Sequence, residues 1–453
     1  MGAEDLRAID GLTMEIPLSI ADVKTRQQAV DYLEGYAGAR RDELADDRLG
    51  SGLVKSYMLE TVAQHSGPPD LESAFRSLGA RLVQIDDSLW KIWADGSPVP
   101  SDRAHLGGPP RWVGFIEQLI PRYPVLYTNE PSRQADAWVR RLVQTTATLD
   151  NVWLSGIIFY QLWQRINAFN GPNTYGKIGF AYESIFDIDA DEARDGDEAD
   201  TGPEDESLED VSSSGEAGAE RQYEGVRRSS RFLMADRIGR MREALDKMRE
   251  IYDPLQAISM LRFPSRARSG HDFYSNGKVT NRSDSFVEHR SYLEYVLRIY
   301  QQVTEQTEST AWADNGIREH SAGNARLSAP VVIRFLGQDG SPNALEQHVF
   351  EQWITSTFGR KNNRFRLWGR PIRLGPGKVH VYGADRHLWQ PISLELTRHH
   401  AVALLPKGTC GNTIHRLVTN IQRYVCPNVS VSIGDLSLAE VIGRAVRGDA
   451  APC

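Results

Sequence analysis

One stretch of this chain cannot contribute to any core, and it divides everything else. Residues 181–225 carry seventeen acids, from Glu183 to Glu224, against Arg194 and Arg221, a net −15. From about Asp187 to Gln222 the segment is also Gly- and Ser-containing and nearly free of aromatics. Such a segment buries too little apolar area to offset the entropy lost on ordering it. An acidic, disordered linker or insertion is therefore expected over 187–225, with folded parts on either side. Downstream the charge is sorted the other way. Residues 351–430 hold twelve bases, from Arg360 to Arg423, against Glu351, Asp385 and Glu395, a net +9. The overall charge of −8 describes neither part.

With 453 residues, of which 40% are hydrophobic, the chain is long enough for two or three cores. Apolar residues three and four apart predict helices over 23–36, 53–64, 71–93 and 112–120, giving a helical N-terminal region, 1–122. Short apolar runs at 124–127, 151–154 and 178–182 alternate with helical patterns at 133–145 and 157–169. That order predicts a small α/β unit with parallel pairing, 123–186. A middle region, 226–325, is expected to hold an amphipathic helix over 232–251, a strand over 257–263 and a long helix over 285–308. Between them, residues 271–281 read as a hairpin turning at Asn276-Gly277 in the type I′ conformation.

The last region, 326–453, shows strands over 330–335, 365–368, 379–382, 392–396, 401–405 and 429–433, with helices over 343–358, 413–424 and 436–446. Short turns between the strands predict an antiparallel sheet with helices covering one face. The expected fold class is a multidomain mixture of α+β and α/β. No apolar run spans a bilayer, since the least polar one, Val152 to Trp163, is short and interrupted by Ser155 and Gln161. No secretory leader is visible, and Cys410, Cys426 and Cys453 suit a reducing compartment, so a cytoplasmic location without membrane association is expected.

The basic region carries the main functional signal. Arg360, Lys361, Arg364, Arg366, Arg370, Arg373 and Lys378 fall within nineteen residues, interleaved with Trp353, Phe358, Phe365, Trp368, Tyr382 and Trp389. Cations that neutralise phosphates beside aromatic faces that stack on bases are what nucleic-acid binding requires. The loop from Lys407 and Gly408 to Asn412, between a strand and a helix, offers amides that could cradle an anion. The leading expectation is a non-catalytic nucleic-acid-binding protein acting within a larger assembly, so protein partners are expected too. The acidic segment, at −15, could lie over the basic face and compete with nucleic acid. His271, Asp272, Asn281, Arg282, His289 and Arg290 converge if the hairpin folds onto the next helix, making a second candidate partner site. Adjacent His399 and His400 point to opposite faces of a strand, and no pattern calls for a metal or a cofactor.

A second reading comes from the same loop. Cys410 precedes Arg416 by six positions between strand and helix, which is similar to the phosphate loop of cysteine-dependent phosphatases. Thr409 stands where such loops carry a His. The resemblance implies a phosphate-ester hydrolase with Cys410 as nucleophile, Arg416 as phosphate clamp and Asp385 as general acid. A third reading is an interaction scaffold whose N-terminal helices form the interface.

Overall fold

Two β-sheets with helices on their faces account for the protein, the mixed α+β class that its element pattern predicts. A computed structural model describes residues 20–45, 53–61, 71–94, 111–186, 229–248, 256–266, 269–313, 330–359, 364–386 and 388–448. The insertion expected at 187–225 falls outside them, as do Arg360, Lys361 and Cys453.

The first part of the chain runs α1 (Arg26–Ala45), β1 (Lys55–Thr61), α2 (Leu71–Arg76), β2 (Ala80–Asp86), β3 (Leu89–Ala94), β4 (Arg111–Ile120), β5 (Tyr123–Thr128), α3 (Ser132–Thr145), β6 (Leu149–Asn151), α4 (Gly156–Phe169) and β7 (Tyr175–Tyr182). It continues with β8 (Ser230–Arg237), α5 (Ile238–Met248), β9 (Ile258–Pro264), β10 (Gly270–Tyr274) and β11 (Lys278–Asn281). Eleven strands form one sheet in the order β2-β3-β4-β5-β1-β11-β10-β9-β7-β8, with β6 alongside β1. This sheet takes strands from both sides of the boundaries expected at 122 and 225.

Several expected helices are strands. Residues 55–61, 80–86, 89–94 and 111–120 belong to the sheet, and β1 is buried on both faces. Tyr57 and Leu59 pack beneath α2 and α3 with Phe75 and Leu142, while Met58 joins the main core with Phe159 and Val303. A strand apolar on both faces shows no two-residue alternation, and its spacing passes for a helix. Gly79, at φ +69°, closes α2 after six residues and lets the chain turn into β2. The parallel unit is also overturned, since β5 and β6 both run antiparallel to β1. Residues 232–237 extend as β8 before the helix begins at Ile238, with Leu233 exposed and Phe232 and Met234 facing in. The 271–281 hairpin forms, with His271 opposite Asn281. Its turn is not type I′. Gly277 alone has positive φ, +81°, and its amide bonds to Tyr274 O at 3.0 Å, the geometry of a three-residue loop with a Gly bulge.

The second part comprises α6 (Phe286–Ala311), β12 (Trp312–Ala313), β13 (Val331–Phe335), α7 (Gln347–Phe358), β14 (Leu367–Gly375), β15 (Lys378–Asp385), β16 (Pro391–Thr397), β17 (His400–Pro406), α8 (Asn412–Tyr424), β18 (Val429–Ile433), β19 (Leu436–Ser437) and α9 (Leu438–Gly448). Its sheet runs β14-β15-β16-β17-β13-β18-β19, with β12 added parallel to β17. Leu367, Val379, Val381, Leu394, Ala403, Ile333 and Val431 point inward, whereas their alternate neighbours face away from the helices. The predicted antiparallel sheet covered on one side is thus present.

The two sheets share one apolar cluster, running from Phe115 and Leu162 through Phe273 and Tyr300 to Leu394, Val418 and Ile442. At its centre lies α8, buried from Asn412 to Gln422 although more than half of those residues are polar. Ile414, Leu417, Val418 and Ile421 fill the core. The polar face is buried as well, against groups from the larger sheet and from α6.

Candidate functional site

β14 ends the strand order of the smaller sheet, and the side chains that alternate outward from it lie open. The register sets Trp368 opposite Ala384, Arg370 opposite Tyr382 and Ile372 opposite His380, so these residues share one face. Trp368 is 63% exposed and Tyr382 71%; Trp389, in the turn from β15 to β16, is 66% exposed. Ile372 and Leu374 are exposed with them. The remaining aromatics of the pattern are structural: Trp353 and Phe365 are core, and Phe358 is half-buried against it.

The cations divide in a way the sequence did not show. Arg366 turns inward, pairing with Asp150 at 3.0 Å beside the Trp153 ring. Arg364 is half-buried, its carbonyl accepting from Asn420 Nδ2 at 2.9 Å. Arg373 pairs with Glu351 at 2.5 Å, and Lys378 with Glu395 at 2.7 Å. Hydrogen bonds from Lys378 and His380 hold the Glu395 carboxyl down at about 2. Arg370 is exposed, and no carboxylate pairs with it among the described residues; Arg386, at the end of β15, is exposed as well. The expected patch of seven bases therefore reduces, within the described residues, to two neutralised cations and the open Arg370.

The anion cradle expected at 407–412 exists and is filled by the protein itself. Gly408 takes φ +90° and turns the chain into α8. The Gly411 amide donates to Glu308 Oε1 at 2.8 Å, so a carboxylate from α6 occupies the start of α8. The Cys410 amide donates to Gln390 Oε1 at 2.7 Å. Lys407 is exposed, whereas Asn412 is buried, accepting from Tyr300 and donating to Asn151 O at 3.1 Å.

Cys410, Arg416 and Asp385 do come together, but not as a phosphate site. Arg416 is fully buried and ion-paired with both Asp150 and Asp385, and Thr413 Oγ1 donates to Asp385 at 2.7 Å. A fully buried guanidinium whose two terminal nitrogens are both held by internal carboxylates has no fork left for phosphate. Cys410 Sγ donates to Glu60 Oε1 at 3.3 Å and accepts from Arg122 Nη2 at 3.1 Å. Burial, reinforced by the Glu60 charge, pushes the thiol well above its usual range, opposite to what a nucleophilic cysteine requires. The hydrolase assignment is corrected accordingly.

Four residues of this network had no sequence signal: Glu60, Arg122, Asp150 and Glu308. Arg122, at φ +77° in the β4–β5 turn, bonds Glu60 and Glu308, each at 2.6 Å. Burial pushes the Glu60 carboxyl up to about 7 despite the pull of Arg122. Burial, aided by Arg122, brings His415 down to about 3, and its Nε2 lies 3.1 Å from Thr304 Oγ1. These groups come from segments that meet only when the sheets pack, so no local spacing could reveal them.

The hairpin cluster converges as expected, except for Arg290, which joins Arg26 on Glu117 instead. Arg262 and Arg282 clamp the buried Asp272 at 2.5 and 2.7 Å. His289 Nε2 lies 2.8 Å from Ser56 Oγ, and its Nδ1 lies 3.2 Å from His271 Nδ1. Asn281 Nδ2 donates to Ser285 O, closing the hairpin onto α6. His271, Asp272, Asn281 and His289 are all buried and tie elements together, while Arg282 and Arg290 are partly exposed. Among the described residues no group of His, Cys, Asp and Glu is arranged to hold a metal, and no helix is long and apolar enough to cross a membrane.

A family model described as MJECL33-like protein matches residues 19–438 of the chain. The uncharacterized protein MJECL33 of Methanocaldococcus jannaschii is 21% identical over 423 residues, covering 91% of this chain and 94% of that protein. No solved structure matches the chain.

Proposed function

The chain belongs to the MJECL33-like protein family, and we propose that this member binds nucleic acid across the open face of its smaller sheet. One observation carries the reading. Of ten large apolar side chains exposed among the described residues, five lie between Trp368 and Trp389, on β14, β15 and the turn after them. An exposed apolar patch of this density marks a binding surface, and a patch whose rings alternate with Arg370 suits bases and phosphates together. A cytoplasmic location belongs to the same proposal, resting on the free buried thiols of Cys410 and Cys426, and so does action within a larger assembly.

The test uses the full chain and fluorescent oligonucleotides. Binding should be measurable by anisotropy at 50 mM salt and weaken as log salt rises. Arg370→Glu should reduce it about tenfold or more, since reversing one contact replaces attraction by repulsion, at roughly 1.4 kcal/mol per factor of ten. Undetectable binding at 50 mM salt, with the protein folded, would reject the proposal.

A further inference from the structure

Resting on that reading, we infer that the ligand is single-stranded nucleic acid, held in extended form by stacking on Trp368 and Tyr382 and bound with little sequence preference. The register supports this first. Trp368 faces Ala384 and Arg370 faces Tyr382, so the two rings are diagonal neighbours on one face, with Arg370 across from Tyr382 and two residues along β14 from Trp368. Diagonal positions on paired strands lie roughly 7–8 Å apart. That separation lets successive unstacked bases each cover one ring while Arg370 meets the phosphate between them, and every base has a face to stack.

A duplex presents phosphates and base edges but hides its base faces, leaving the exposed rings without partners. Nor can this hairpin enter a major groove as a two-stranded ribbon. β15 is paired with β16 from Lys378 with Thr397 through Ala384 with Pro391, so the hairpin is the margin of a broad sheet. The supply of cations points the same way. With Arg373 and Lys378 already paired, few positive groups are left for phosphates on this face among the described residues, whereas duplex binding leans on many.

The backbone at Trp389 adds an independent sign. This residue sits at φ +51°, a conformation that favours Gly and is an outlier for a bulky side chain. The residue is two-thirds exposed, so packing of the indole into a core does not offset the cost of that conformation, and such outliers cluster at binding sites. Strand addition at the free edge of β14 is the wrong mode for this surface, because Pro371 removes an N–H from the middle of that edge.

The full chain would be titrated with a labelled 12-nucleotide single strand, with the same sequence as a duplex, and with heparin, a polyanion without bases. The single strand should bind at least tenfold more tightly than the duplex and quench tryptophan fluorescence. Trp368→Ala and Tyr382→Ala should each weaken it by roughly 5- to 150-fold without moving the thermal midpoint. Arg370→Ala should reduce the slope of log affinity against log salt by about 0.7. If the duplex binds as tightly and both aromatic variants are neutral, nucleic-acid binding stands and stacking is overturned. If heparin competes equally and those variants are neutral, the face reads charge alone and the inference fails. If no nucleic acid binds, both proposals fall.

Discussion

Glu60 shows how one buried side chain sets a pH response. It sits on the central strand β1, fully enclosed, bonded to Arg122, Tyr300 and Cys410. Its carboxyl titrates at about 7 in the folded protein and at 4.5 in its ordinary state, so the fold binds that proton more tightly than the unfolded chain does. Stability from this group is complete below about pH 4.5 and is lost as pH rises through 7. At its steepest the loss is about 1.4 kcal/mol per pH unit. Glu60→Gln, which keeps the shape and removes the titration, should flatten the decline between pH 5 and pH 8. Urea midpoints of both proteins across that range measure it; parallel slopes would place the pH response in other groups.

At the scale of elements, β14 is the exposed margin of a sheet and is defended by its sequence. Pro371 leaves no donor in the middle of the strand, and the register shift between Arg373 and Gly375 bends its end. Pro371→Thr restores a donor on a strand already carrying exposed Trp368, Ile372 and Leu374. Concentration-dependent self-association should follow, visible by sedimentation, and an unchanged monomer would show that the edge is protected otherwise. Of this hairpin the sequence showed short strands at 365–368 and 379–382 and missed residues 369–375, where Gly369, Pro371 and Gly375 weaken the strand pattern. β1 was read as a helix, since both of its faces are dry, whereas β5 shows in the sequence as the apolar run 124–127. For α8 the amphipathic pattern fixed the helix but misled about its surroundings. A face carrying Asn412, His415, Arg416 and Asn420 reads as solvated, yet it meets partners contributed by distant segments. The aromatic half of the candidate site was visible in the same way, whereas the pairing of Arg373 with Glu351 depends on where α7 packs.

Over the whole molecule, the sequence suggested a C-terminal region, 326–453, able to stand alone, and the shared apolar cluster argues otherwise. Tyr300 of α6, Phe180 of β7 and Leu162 of α4 are buried in the same cluster as Val331, Leu394 and Val418. The Arg416 pair with Asp150 crosses between the sheets, as does the Gly156 amide bonding Gln422 at 2.9 Å. Cutting the chain at 326 would expose that surface and leave Arg416 buried beside one carboxylate fewer. The fragment 326–453 should therefore lack a cooperative thermal transition while the full chain unfolds in one step, as calorimetry can show; a sharp transition in the fragment would mean the sheets fold independently. The carboxylate of Glu308 carries a further consequence of this interlock, one of timing. It lies in the last turn of α6, where that helix's own dipole opposes a negative charge, and it gains its compensation only when Arg122 and the start of α8, both distant in sequence, pack against it. Its stabilisation is thus absent early and present late, so Glu308→Gln should leave the refolding rate nearly unchanged while speeding unfolding several-fold in stopped-flow measurements. A residue that weakens its own helix in isolation would then act as the brake on the protein's disassembly.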